Sequence, residues 1–182
     1  MLRDIRTTED ALALWDDLPP VTTDEMIGDW QGAAVPTGHP LDGLLEASRW
    51  HGQRFLGPDE VYPLVHRDAR GNKYYADPAR VPLGAAMRLP VPKGPGATSS
   101  GATRLFSMTK SWHRTSRPLA RLRTIEHRGA ATAAMLYDQR PIIDVFRRLD
   151  AKTVLGLMDM KGMERPFVFT LTKEPLLRHM AD

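Results

Sequence analysis

Residues 119–172, LARLRTIEHRGAATAAMLYDQRPIIDVFRRLDAKTVLGLMDMKGMERPFVFTLT, contain the strongest structural signal in the chain. Five apolar-rich runs stand out: Leu119 to His127, Ala130 to Tyr137, Pro141 to Leu149, Thr153 to Met160 and Pro166 to Thr172. They are separated by Arg128-Gly129, Asp138-Gln139-Arg140, Asp150-Ala151-Lys152 and Lys161-Gly162-Met163-Glu164, all short and rich in turn residues. A parallel return within one sheet needs a crossover of about a dozen residues or more, so strands linked this tightly run antiparallel. Such a meander either leaves two edges exposed or curls until it closes. Closure is the expectation, into a calycin/lipocalin-like barrel whose interior can hold a ligand.

Toward the N-terminus the pattern turns helical. Thr7-Thr8-Glu9-Asp10 offers a cap and early acids, Ala11, Leu14, Trp15 and Leu18 recur at helical spacing, and Pro19-Pro20 ends the run. A short helical turn is predicted at Thr23 to Ile27 with Thr23 as cap, and a third helix from Pro40, with Leu41, Leu44, Leu45 and Ser48 on one face and Gly52 past its end. Strand signals occupy Trp30 to Val35, then Glu60 to Arg67 and Lys73 to Ala76, a hairpin around Asp68 to Asn72. The fold class is thus mainly β with a few short helices at the N-terminal side. One domain is expected over 1–182: a helix and hairpin part at 1–90, a mobile Pro/Gly/Ser-rich loop at 91–117, and the meander at 118–174.

Composition removes several classes of function. The chain has 182 residues, 42% hydrophobic and 26% charged, and no cysteine, so disulfides, thiolate chemistry and Cys-based zinc sites are excluded. No apolar run is long enough to span a bilayer and the first residues lack a secretion signal's apolar core, so no stable membrane insertion and a cytoplasmic location are expected. Arginine gathers between Arg114 and Arg128, but without the interleaved aromatics of a single-strand binder, and no nucleic-acid partner is expected. His39, His51, His113 and His179 show no ligand spacing, so neither a metal nor another cofactor is expected; a single axial histidine for haem leaves no pattern, and haem stays open as a third reading.

Gly28-Asp29-Trp30-Gln31-Gly32 resembles the signature of the GXWXG-domain family. Arg128-Gly129, Ala134 to Gln139, Pro141 to Phe146 and Val154 to Asp159 resemble the domain of unknown function that usually follows it. The resemblance implies little chemistry, since most relatives have no established activity; its Gly-x-Trp opening is similar to that of lipocalin-like and nitrobindin-like barrels, where the tryptophan closes the floor. Where it leads one to expect an aromatic before Arg-Gly, this chain has His127. A looser resemblance is to terpene-epoxide lyases of the α-pinene oxide lyase type, which implies acid-assisted ring opening and identifies no residue.

Residues two apart in a strand share a face, so Ile142, Asp144 and Phe146 point together, as do Leu155, Leu157 and Asp159. A carboxylate in apolar company needs a partner, stays protonated, or borders a cavity. Asp144 either plays the last two parts, faces outward among arginine neighbours, or pairs with a buried arginine such as Arg128. His127 ends its strand beside the run carrying Met135 and Tyr137, where an imidazole could work at a cavity mouth or stand as a partly exposed strand end; His66 is a second candidate. The expected catalytic set is His127, Asp144 and Tyr137, with Trp30, Met135, Phe146 and Asp159 contacting ligand. The function expected is a cofactor-independent lyase or isomerase using acid-base chemistry on a small apolar, terpenoid epoxide-like molecule. The alternative is a non-catalytic protein binding a lipid or small hydrophobic ligand, with a homodimer left open in either case.

Overall fold

The computed structural model describes residues 2–80 and 114–175. Helix α1 (Thr8–Asp17) opens on a capping box in which Thr7 accepts from the Asp10 amide and Asp10 accepts from that of Thr7. The next helix, α2 (Thr23–Met26), is capped one residue earlier than predicted, by Thr22, because Glu25 sits three residues on to complete a second capping box. The third predicted helix shrinks to α3 (Leu44–Ala47), and the chain enters a strand two residues after its C-cap, Ser48.

The strands are β1 (Gly28–Ala34), β2 (Trp50–Gly57), β3 (Glu60–Arg67), β4 (Lys73–Ala76), β5 (Arg114–Thr115), β6 (Ala120–His127), β7 (Ala130–Tyr137), β8 (Ile142–Arg148), β9 (Thr153–Met160) and β10 (Phe167–Lys173). The meander β6 to β10 runs antiparallel throughout. Its first turn is a two-residue hairpin in which Arg128 (φ 49°) and Gly129 (φ 77°) both take positive φ, as the twist of the flanking strands favours. The mobile loop expected at 91–117 lies outside the described residues except for 114–117, where β5 begins.

The calycin/lipocalin-like barrel does not form. Among the described residues the strands make one ten-stranded sheet in the order β2-β1-β10-β9-β8-β7-β6-β3-β4-β5, with a further pairing of β2 with β3. The step from β6 to β3 rests on a single register pair, Val61 with Ala120, and the sheet continues past β3 into β4 and β5. Short links dictate that neighbours in a meander are antiparallel, but they leave the partners of its two outer edges undecided. Here the N-terminal half takes the β10 edge through β1, while β3 spends its hydrogen bonds chiefly on β2 and β4.

Alternation along the strands splits the apolar residues between two cores. One face carries Trp30, Phe55, Leu122, Met135, Phe146 and Phe169. The opposite face carries Ala134, Val145, Leu155, Leu157 and Val168 and is covered by α1 through Ala11, Trp15 and Leu18. In β8, Asp144 falls between Ile142 and Phe146 and therefore belongs to the first face, where it is 1% exposed.

Candidate functional site

A cavity of about 90 Å3 opens on the first face, several times the volume that one water molecule needs. The segment around α3 covers it with Leu41, Leu44 and Leu45. Trp50 of β2, Leu64 of β3, Ile142 of β8, Met158 of β9 and Phe167 and Phe169 of β10 build the rest of its apolar wall. Its polar side chains are few: Ser48, Gln53, His66, Tyr137, Arg140 and Asp144. A mostly apolar concavity with a handful of placed polar groups is the usual form of a small-molecule site.

Two glycines of β1 and β2 shape this wall. A Cβ on Gly32 would lie 2.0 Å from the Trp50 ring, so the missing side chain is the seat of that indole. Gly52 has φ 150°, and a Cβ there would stand 1.9 Å from the Trp30 carbonyl oxygen. The register between β2 and β3 shifts on both sides of Gly52, and such irregularities re-aim neighbouring side chains. Gln53 is turned inward, 2% exposed, and reaches across the pocket to β8.

There the Gln53 Nε2 donates to Asp144 Oδ2 at 2.7 Å, and the Tyr137 hydroxyl donates to the same oxygen at 3.2 Å. Among the described residues Asp144 Oδ1 and Gln53 Oε1 have no hydrogen-bond partner. Burial pushes the Asp144 carboxyl up from 3.8 to about 7, against the opposing pull of the two donors. Burial, followed by the neighbouring carboxylate, holds the Tyr137 phenol well above its ordinary range. On the next wall His66 donates from Nδ1 to the Ser48 carbonyl at 2.9 Å, which sets its tautomer, and stacks on Tyr74. Arg140 donates to the carbonyls of Pro78 (3.1 Å) and Ala79 (2.7 Å), fixing the turn after β7 against the 3-10 turn at Pro78–Arg80.

Of the catalytic residues expected from sequence, Asp144 and Tyr137 meet in this pocket and His127 does not. His127 lies on the opposite face, half-buried edge-on to Trp15 with ring centroids 6.2 Å apart, and burial lowers its pKa. Asp159 stands on that opposite face too, exposed, where its charge acts on His127. Trp30 is held by its Nε1 donating to the Met26 carbonyl at 2.7 Å, with the Lys173 ammonium over its ring. Met135 and Phe146 are fully buried in the core of the first face, Phe146 touching the wall residue Phe169 edge-on. Gln53 is the contributor that sequence reasoning did not nominate.

The arginine strip is largely neutralised. Arg114 faces Asp68 (3.6 Å), Arg121 Asp138 (2.9 Å), Arg123 Asp59 (2.5 Å) and Arg128 Asp16 (2.6 Å), so Arg128 is spent on α1 and does not pair with Asp144. Among the described residues no group of three or more His, Cys, Asp or Glu could hold a metal ion. No helix among them is long and apolar enough to cross a membrane.

Residues 13–71 match the family described as GXWXG protein, and residues 118–173 match the domain of unknown function DUF4334. A crystal structure of a protein from Thermomonospora curvata is similar over 92% of this chain and 87% of its own, with 32% identity and a TM-score of 0.67. No curated protein matches the chain significantly. The motif Gly28 to Gly32, the meander and the full-length structural likeness agree: the chain belongs to the family that joins a GXWXG domain to a DUF4334 domain.

Proposed function

We propose that the pocket binds a small, largely apolar molecule carrying one oxygen atom, and that Asp144, as a neutral acid, donates a hydrogen bond to that oxygen. The observation that carries this reading is the carboxyl group itself, 1% exposed, on a cavity wall, with one oxygen unpartnered among the described residues. A buried polar atom without a partner is costly unless something fills its place, and a ligand oxygen does so. The test is calorimetric titration with cyclooctanone at pH 5.5. Saturable binding that Leu44→Trp abolishes, by filling the cavity from α3, supports the proposal. Absence of binding by cyclooctanone and cyclooctanol alike, or binding indifferent to Leu44→Trp, refutes it.

A second reading rests on the titration of Asp144 near neutrality, which suits a general acid. In it Asp144 passes its proton to an epoxide oxygen and the carbon–oxygen bond breaks toward that oxygen. The aromatic walls tolerate the carbocation left behind, and the Asp144 carboxylate removes a proton from the neighbouring carbon, forming an alkene and regenerating the acid. The net reaction is isomerisation of an epoxide to an unsaturated alcohol, with no cofactor consumed. Gas chromatography after incubation with α-pinene oxide tests it: turnover lost in Asp144→Asn supports the reading, and no turnover, or turnover unchanged in Asp144→Asn, counts against it.

A further inference from the structure

The proposed binding of a small apolar molecule leaves the polar group of that molecule undefined, and any assignment of the group rests on that binding. We infer that this group is a hydroxyl, which both donates and accepts, because Gln53 and Asp144 both line the pocket and leave two oxygens, Gln53 Oε1 and Asp144 Oδ1, without partners among the described residues. Oδ2 of Asp144 already receives the Gln53 amide at 2.7 Å and the Tyr137 hydroxyl at 3.2 Å. A carboxylic proton on Oδ2 would confront two donors, so it sits on Oδ1, the oxygen with no partner among the described residues. Gln53 uses its amide nitrogen on Asp144 and leaves Oε1 unpartnered at the other end of the same group.

Rotating the amide by half a turn exchanges these roles without changing the pattern. Gln53 Oε1 would then accept from a proton on Oδ2, leaving the amide nitrogen as donor and Oδ1 as acceptor. Either way a ketone, ether or epoxide, which can only accept, satisfies half of the pair, whereas an alcohol satisfies both halves. Both residues are nearly sealed from solvent, at 1% and 2% exposure, so the unmatched half has little recourse to bulk water. The same pair would hold the hydroxyl product of an epoxide opening.

Gln53 from β2 and Tyr137 from β7 face Asp144 directly, and the other ionisable side chains of the pocket are His66 from β3 and Arg140 from the turn after β7. When Asp144 ionises it loses its donor and becomes an acceptor only. A ketone then has no donor left on Asp144, while an alcohol turns its own proton toward the carboxylate and stays.

The experiment is titration calorimetry with cyclooctanol and cyclooctanone, matched in ring size, at pH 5.5 and 8.5. For the wild type at pH 5.5 the alcohol binds about tenfold more tightly, the worth of one buried hydrogen bond, and the ratio widens at pH 8.5. Gln53→Leu brings the two ligands to within about twofold at pH 5.5. Asp144→Asn, whose amide presents a donor at every pH, keeps the preference and makes it independent of pH, so the inference is tested even where Gln53→Leu does not fold. Equal binding of the two ligands to the wild type overturns the hydroxyl assignment and leaves the binding of an apolar molecule standing. A preference undiminished in Gln53→Leu overturns the part given to Gln53, and failure of both ligands to bind removes the proposed binding together with the hydroxyl assignment.

Discussion

Asp144→Asn separates the thermodynamics of the pocket from everything else that titrates in the protein. The wild-type carboxyl moves from 3.8 in the unfolded chain to about 7 in the native one, for which burial is the main cause. Between those values the unfolded state is ionised and the native state holds a proton, so the native state binds more protons and stability falls as pH rises. The contribution is fully present below pH 4 and lost by the time pH passes about 7. Three decades of proton affinity, at about 1.4 kcal/mol each, amount to about 4 kcal/mol. Asparagine is nearly isosteric, can accept from Gln53 and Tyr137 through its carbonyl, and does not ionise. Asp10, Asp16, Glu25, Asp150 and Glu174 titrate the opposite way, their carboxyls being held low, but they are common to both proteins and cancel in the difference. Urea unfolding of both proteins at half-unit steps from pH 4 to pH 8.5 should therefore show the variant gaining about 4 kcal/mol on the wild type across the range. A difference that stays flat to within about 1 kcal/mol would mean that Asp144 is not a buried acid.

Other consequences follow from the packing. Gly32→Ala drives a methyl group to 2.0 Å from the Trp50 ring, and should cost about 1–3 kcal/mol of stability in urea unfolding while weakening cyclooctanone binding, because the displaced indole is a wall of the pocket. Gly52→Ala meets backbone, the Trp30 carbonyl at 1.9 Å, at a φ of 150°, and should destabilise by more than about 4 kcal/mol, seen as loss of the folded far-UV spectrum or of soluble yield. His127→Ala should lower stability by about 1 kcal/mol through its contact with Trp15 yet leave the dissociation constant of cyclooctanone unchanged within twofold, since the two lie on opposite faces of the sheet. Tyr137→Phe removes one of the two donors to Asp144 Oδ2 and should raise the carboxyl's titration point further, measured by carbon-13 shifts of the aspartate carboxyls.

How much of the molecule is legible in its sequence depends on how local the determinant is. The meander and the β3–β4 hairpin are visible because each strand and each turn is specified by its own few residues. The partners of the outer edges are not: nothing between Leu119 and Thr172 says that β1 lies along β10. Period two places Asp144 with Ile142 and Phe146, and that face is the one with the pocket. The same rule groups His127 with Ile125, but only Trp15, more than a hundred residues earlier, shows that this face belongs to α1. Gln53 is hidden by Leu41, Leu44, Leu45 and Ser48, whose helical spacing extends the predicted helix as far as Gly52. The chain instead passes through Arg49 at φ 56° and enters β2. The alternation of His51, Gln53 and Phe55 is a signal for a strand, yet the bond from Gln53 to Asp144 spans 91 positions and leaves no trace in local pattern.

The proposed chemistry of the pocket turns on the Asp144 carboxyl, which burial pushes up to about 7 beside a cavity. Carbon-13 spectra of protein labelled at the aspartate side-chain carboxyls, recorded from pH 3 to pH 9 and assigned through Asp144→Asn, observe its titration directly. One resonance titrating near pH 7 and absent from the variant is the result expected. A spectrum in which every aspartate carboxyl has ionised by pH 5 would contradict it.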